Sequence, residues 1–174
     1  EGQLRGTIEA ETERLEAVNR AIDRALRGPL PHADSVELPT GYNQFEPLTG
    51  TLAALIQGGD LRLLRNDSIR FELIGYSAVI HETEEILRHS ETLIWNSTER
   101  VIQARARHSQ SAGRGEGSAG RGWGTLDVAG LLNDPEIITA LQVQTVASQV
   151  RLFNLRRLEE PTARVIRLIQ EELE

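Results

Sequence analysis

NDSIRFELIGYSAVIHETEEILRHSETLIWNSTERVIQARARHSQ, residues 66–110, is the stretch whose reading decides the fold. It contains no Pro, and its only Gly is Gly75, so nothing in it forces a helix to stop. Alternate steps of four and three from Ile69 reach Leu73, Tyr76, Ile80, Thr83, Leu87, Ser90, Ile94, Ser97, Val101 and Ala104. That is the seam of a heptad helix. Val79, Ile86 and Leu93 lie beside it and make the apolar stripe wider than a two-stranded coil needs. The width predicts a bundle in which this helix has neighbours on two sides. At about 1.5 Å per residue the helix would be roughly 65 Å long.

Before it, a first helix is expected to run from the start of the chain to about Arg27. Leu4, Ile8, Leu15, Val18, Ile22 and Ala25 form its apolar seam, on which Glu11 is the one misfit. Gly28 and Pro29 end it. Residues 28–47 hold four prolines and no helical period, and are expected to run extended over the bundle, pinned by Leu38, Tyr42 and Phe45. Pro47 suits the first turn of a short helix carrying Leu48, Leu52, Leu55 and Ile56, which Gly58 and Gly59 close. After one apolar turn at 60–64, Asn66 or Asp67 caps the long helix.

Beyond the long helix, residues 111–124 carry a duplicated Ser-Ala-Gly-Arg-Gly unit and are expected to form a flexible Gly/Arg loop with Trp123 at its exit. Asp134 followed by Pro135 is a strong helix start. The seam drawn through Ile138, Leu141, Thr145, Ser148, Leu152 and Leu155 continues past Pro161 through Thr162, Ile166, Ile169 and Leu173, which favours one kinked helix over two. The expected architecture is therefore all-α: residues 1–174 as a single elongated antiparallel bundle of three long helices and one short helix.

Residues 55–67, LIQGGDLRLLRND, with Ile69, Arg70, Leu73, Ile74, Gly75 and Tyr76, resemble the centre of an uncharacterised bacterial family, mainly over residues 52–76. Members of that family carry a single transmembrane helix followed by a helical domain. The resemblance implies a single-pass inner-membrane protein with this domain in the periplasm, and it brings no activity and no site residues. Gly58 preceding Gly59 departs from the lone glycine of the family pattern.

Composition narrows the function classes. The 26 acids outnumber the 19 bases, all of them Arg, and leave a net charge of −7, which is a poor match to nucleic acid. There is no Cys, so disulfides and thiolate metal sites are excluded. Met is absent even from position 1, which fits a processed or truncated piece whose membrane anchor, if any, precedes it.

His81, Glu85 and His89 share one helix face at spacing i, i+4, i+8 and form a partial metal pattern on outward positions, so a metal-dependent enzyme is kept as an alternative. No catalytic residue, cofactor or resident metal is assigned. The small hydroxyl residues Thr83 and Ser90, with Thr145 and Ser148 of the last helix and Tyr76, could line a ligand slot between helices. Close packing around small side chains is the simpler account of them. The leading expectation is a non-enzymatic interaction, assembly or signalling domain. Its partner would be a second copy or a membrane protein, and a small-ligand sensor is the alternative.

Overall fold

The computed structural model describes residues 1–27, 45, 47, 49–111, 130–131 and 133–173. Its regular structure there is entirely helical: α1 (Gly2–Leu26), α2 (Gly50–Gln57), a 3-10 turn (Asp60–Leu63), α3 (Asp67–Ser111), α4 (Pro135–Arg157) and α5 (Glu159–Leu173). The proline-containing connection lies outside the described residues apart from Phe45 and Pro47. The Gly/Arg loop with Trp123 also lies outside them beyond Ser111.

α3 spans 45 residues, which is about 68 Å. Its cap is Asn66, whose Oδ1 accepts from Ser68 N at 3.0 Å while its carbonyl accepts from Arg70 N at 3.3 Å. Every position of the predicted seam from Ile69 to Ala104 is buried except Tyr76, which is half-buried. α2 begins at Gly50 rather than at Pro47. The Pro47 carbonyl is held in a tight turn by Thr49 N at 2.8 Å, so the helical ladder starts after it. Gly59, at φ 72°, takes the left-handed conformation that turns the chain from α2 into the 3-10 turn.

α4 starts where Asp134 and Pro135 predict. Asp134 Oδ1 accepts from Glu136 N at 2.9 Å, and Pro135 occupies the first turn. Where one kinked helix is expected, two helices form, α4 and α5, separated at Leu158. Its N–H turns back three residues to Leu155 O at 3.1 Å, and Thr162 N resumes the four-residue ladder to Leu158 O at 3.0 Å. Pro161 has no N–H to offer the carbonyl of Arg157, so the ladder is interrupted there.

Two apolar clusters set the direction of the long helices. One gathers Val18 and Ala21 of α1, Val101 and Ala104 of α3, and Ile137, Ala140 and Leu141 of α4, with Leu131. The other gathers Leu4, Ile80 and Leu87 with Leu155 and Leu158, and Phe45 packs into it. Residue numbers rise along α1 and α3 and fall along α4 between these clusters, so α1 and α3 both run antiparallel to α4. α4 packs closely against both. Past the start of α1, a third cluster of Leu61, Ile69, Leu73 and Val165 joins α2, the 3-10 turn, α3 and α5. No helix among the described residues is long and apolar enough to cross a membrane.

The start of α4 is tied to the end of α3: Arg107 reaches Glu136 at 2.7 Å and Asp134 at 3.5 Å, and His108 reaches Asp134 at 3.5 Å. Burial pushes the Asp134 carboxyl up, but the Glu136 amide, His108 and Arg107 outweigh it and hold the group below its ordinary range. A depressed carboxyl stabilises the fold above its unfolded pKa and loses that contribution as pH falls through the folded value. Asp134→Ala should therefore cost about 1 kcal/mol at neutral pH. In urea titrations the gap to the parent chain should hold down to about pH 5 and shrink below about pH 4.

Candidate functional site

The helix centre of α1 is occupied by Leu4, Thr7, Glu11, Arg14, Val18, Ala21 and Ala25, all buried. These positions follow alternate steps of three and four without a break, so Glu11 stands on the true seam and Ile8, Leu15 and Ile22 flank it. α4 does the same through Ile137, Ala140, Gln144, Ala147, Arg151 and Asn154. The middle of the bundle, between the two apolar clusters of the long helices, is therefore a layer of polar side chains.

Their partners are one another. Arg151 donates from Nε to Glu11 Oε2 at 3.2 Å and from Nη1 to Glu91 Oε1 at 3.0 Å. The Arg151 and Glu11 side chains are both 0% exposed, and Glu91 of α3 is 17% exposed. One heptad step away, Arg14 donates to Ser148 Oγ and to Gln144 Oε1, each at 3.1 Å. Gln144 Nε2 donates onward to Thr98 Oγ1 of α3 at 3.1 Å. Burial lowers the Arg14 pKa from its ordinary value, with Arg151 adding to the effect and Glu11 opposing it. Two adjacent sets of hydrogen bonds, one through Arg151 and one through Arg14 and Gln144, thus join α1, α3 and α4.

The five residues read from the sequence as a ligand slot do not meet in one place. Ser148 joins the polar layer through Arg14. Ser90 Oγ donates to Ile86 O at 2.9 Å, and Thr145 Oγ1 donates to Leu141 O at 3.1 Å, so both hydroxyls are satisfied within their own helices. Thr83 is buried on the α3 seam. Tyr76 stands apart, its hydroxyl 3.0 Å from Thr162 Oγ1, on the wall of an apolar cavity of about 440 Å³ that lies between α2, α3 and α5 and opens to solvent. None of the other four lines that cavity.

His81 and Glu85 are exposed and 3.8 Å apart, and among the described residues no group of three His, Asp or Glu side chains is placed to hold a metal ion. Sequence reasoning missed Arg14, Glu91, Thr98, Gln144 and Arg151. The available signal was Glu11 on the seam, together with Arg151 as the lone charge between Ile137 and Leu155.

The outward side of α4 is unusual in the opposite sense. Val146, Val150 and Phe153, spaced i, i+4, i+7, are 59%, 39% and 65% exposed. Thr139, Gln142 and Gln149 complete that face, so no charge interrupts it between Glu136 and Arg156. A shallow depression lined by Leu15, Gln149, Leu152, Phe153, Arg156 and Arg157 adjoins it.

No family model, curated protein or solved structure matches the chain.

Removing Arg151 leaves Glu11 buried without its partner, and removing Glu11 leaves Arg151 with Glu91 alone. Glu11→Leu or Arg151→Met alone should each cost about 3–5 kcal/mol, whereas the double variant should recover most of the loss. Chemical denaturation of all four chains measures this directly. Single variants costing less than about 1 kcal/mol would mean that the charges are relaxed to water rather than locked together.

Proposed function

We propose that this chain is a non-enzymatic helical assembly module that pairs with a second copy of itself through the outward face of α4. The observation that carries this reading is the uncharged apolar stripe Val146, Val150 and Phe153. In a chain whose residues are 26% charged, a helix face of about five turns without a charge is a local departure from composition. Loss of charge with retained apolar and aromatic side chains is the mark of an interface centre. α4 also has apolar side chains on both its faces, the pattern of a helix covered on both sides.

Self-association suits the stripe because it is close to symmetric about its middle. In an antiparallel α4 pair, Val146 meets the Phe153 position of the other copy while Val150 lies near the two-fold axis. Each copy carries a net charge of −7, so two copies repel except where a neutral face lets them approach. The Arg156 and Arg157 side chains at the edge of the stripe add positive charge beside it.

The resemblance over residues 52–76 supports placing such a module in the periplasm behind a single inner-membrane helix. In that setting, pairing of the helical domains would bring two anchored chains together. The interaction or signalling role follows from that pairing.

Light scattering over a concentration range should give the mass of two chains for the parent. The Val150→Glu, Phe153→Glu double variant should give the mass of one with unchanged helix content, because both positions face away from the core. A parent chain that stays at one-chain mass at all concentrations would overturn the reading.

A further inference from the structure

The cavity at the α2 end is a different feature from the α4 face and from the buried charge layer. Its described walls are aliphatic, Leu52 and Leu55 from α2, Leu73 from α3, Val165 and Ile169 from α5, together with the aromatic ring of Tyr76. The space is open to solvent on one side, as a cleft that admits a ligand must be. A space of about 440 Å³ is roughly fifteen times the 30 Å³ a water molecule occupies in the liquid. It falls within the range of small-molecule sites rather than of packing defects.

Water is a poor occupant. The Tyr76 hydroxyl is already engaged with Thr162, and the walls offer few other polar atoms to hold a solvent molecule in place. An alkyl chain, by contrast, would gain contact with several branched side chains at once.

The mouth adds a preference of sign. Thr49, Thr51 and Glu172 are polar residues there besides Tyr76, and among the described residues Glu172 is the one charged residue lining the space. Asn66 Nδ2 donates to Glu172 Oε2 at 3.4 Å, which holds the carboxylate at the junction of α3 and α5. Among the described residues no arginine lines the cavity. An anionic head group would meet the Glu172 carboxylate and, among the described lining residues, no counter-charge. A cationic one would meet Glu172.

We propose that this cavity is a binding site for an amphiphile with a linear alkyl chain and a cationic head group, the chain seated among Leu55, Leu73 and Val165 and the head at Glu172. Neither the Glu11–Arg151 layer nor pairing through α4 takes part. The Val150→Glu, Phe153→Glu variant should therefore bind the same ligand, which separates this inference from the assembly reading.

The test is isothermal titration with decyltrimethylammonium and with decanoate, both below their micelle-forming concentrations. Saturable binding of one ammonium ligand per chain is expected, roughly tenfold tighter than decanoate. Leu73→Trp, which fills the cavity from α3, should abolish it. If that variant loses its helical signal, Leu55→Phe fills the same space from α2 and should weaken binding instead. Glu172→Gln should keep alkyl binding and remove most of the preference for the cation. Absence of saturable binding, equal binding by a folded cavity-filling variant, or decanoate binding at least as tightly as the ammonium would each overturn the proposal.

Discussion

The ion pair between Glu11 and Arg151, extended by Glu91, is the constraint on which the arrangement of the three long helices depends. An apolar heptad seam by itself tolerates sliding, because one Leu or Val replaces another after seven residues. Here the same seam position of α1 is filled in turn by Leu4, Glu11 and Val18, and that of α4 by Gln144, Arg151 and Leu158. A slip of one heptad would set Arg151 against Leu4 or Val18 and leave two opposite charges buried without each other. Such a state is several kcal/mol worse than the paired one. Replacing a buried pair by apolar residues is often neutral for stability, so the layer acts by excluding other registers rather than by adding to the core.

The rest of the molecule follows from where that layer falls. The apolar clusters on either side of it are closed by α1, α3 and α4 together, whereas the end beyond Leu4 has no α1 to cover it. There α2, the 3-10 turn and α5 pack on the start of α3 instead, in a small apolar cluster that adjoins an open cavity. α4 inverts the usual pattern: its one mid-helix charge points inward to Glu11, and its outward face carries Val146, Val150 and Phe153. A helix built this way is held from inside by polar contacts and leaves apolar surface to be covered from outside.

The α3 seam was legible residue by residue, because its apolar and small side chains coincide with the buried positions. Caps were legible too: Asn66 and Asp134 stand where short polar side chains precede helical runs. The seams of α1 and α4 were displaced in the sequence reading because apolar residues were followed there, and the structure gives the centre to Glu11, Arg14, Gln144 and Arg151. Burial of those groups is possible only because each meets a partner from a helix more than a hundred residues away or from α3, and pairing over such separations leaves no local periodic trace. The small hydroxyls of α3 carry no mark of their partners in the sequence, and in the structure Ser90 and Ser97 donate to the Ile86 and Ile94 carbonyls of the same helix. The cavity has no signature in any single segment, since α2, α3 and α5 each contribute only part of its wall.

Register is the claim to test first, and the absence of Cys makes it accessible by introduced thiol pairs. Val18→Cys with Leu141→Cys joins two side chains that share an apolar cluster, whereas Val18→Cys with Ser148→Cys is displaced by one heptad. Mild oxidation should cross-link the first pair and not the second in the parent background. When Glu11→Leu and Arg151→Met are added, cross-linking of the displaced pair should appear as the helices become free to slide. Cross-linking confined to the first pair in both backgrounds would show that the buried charges do not set the register.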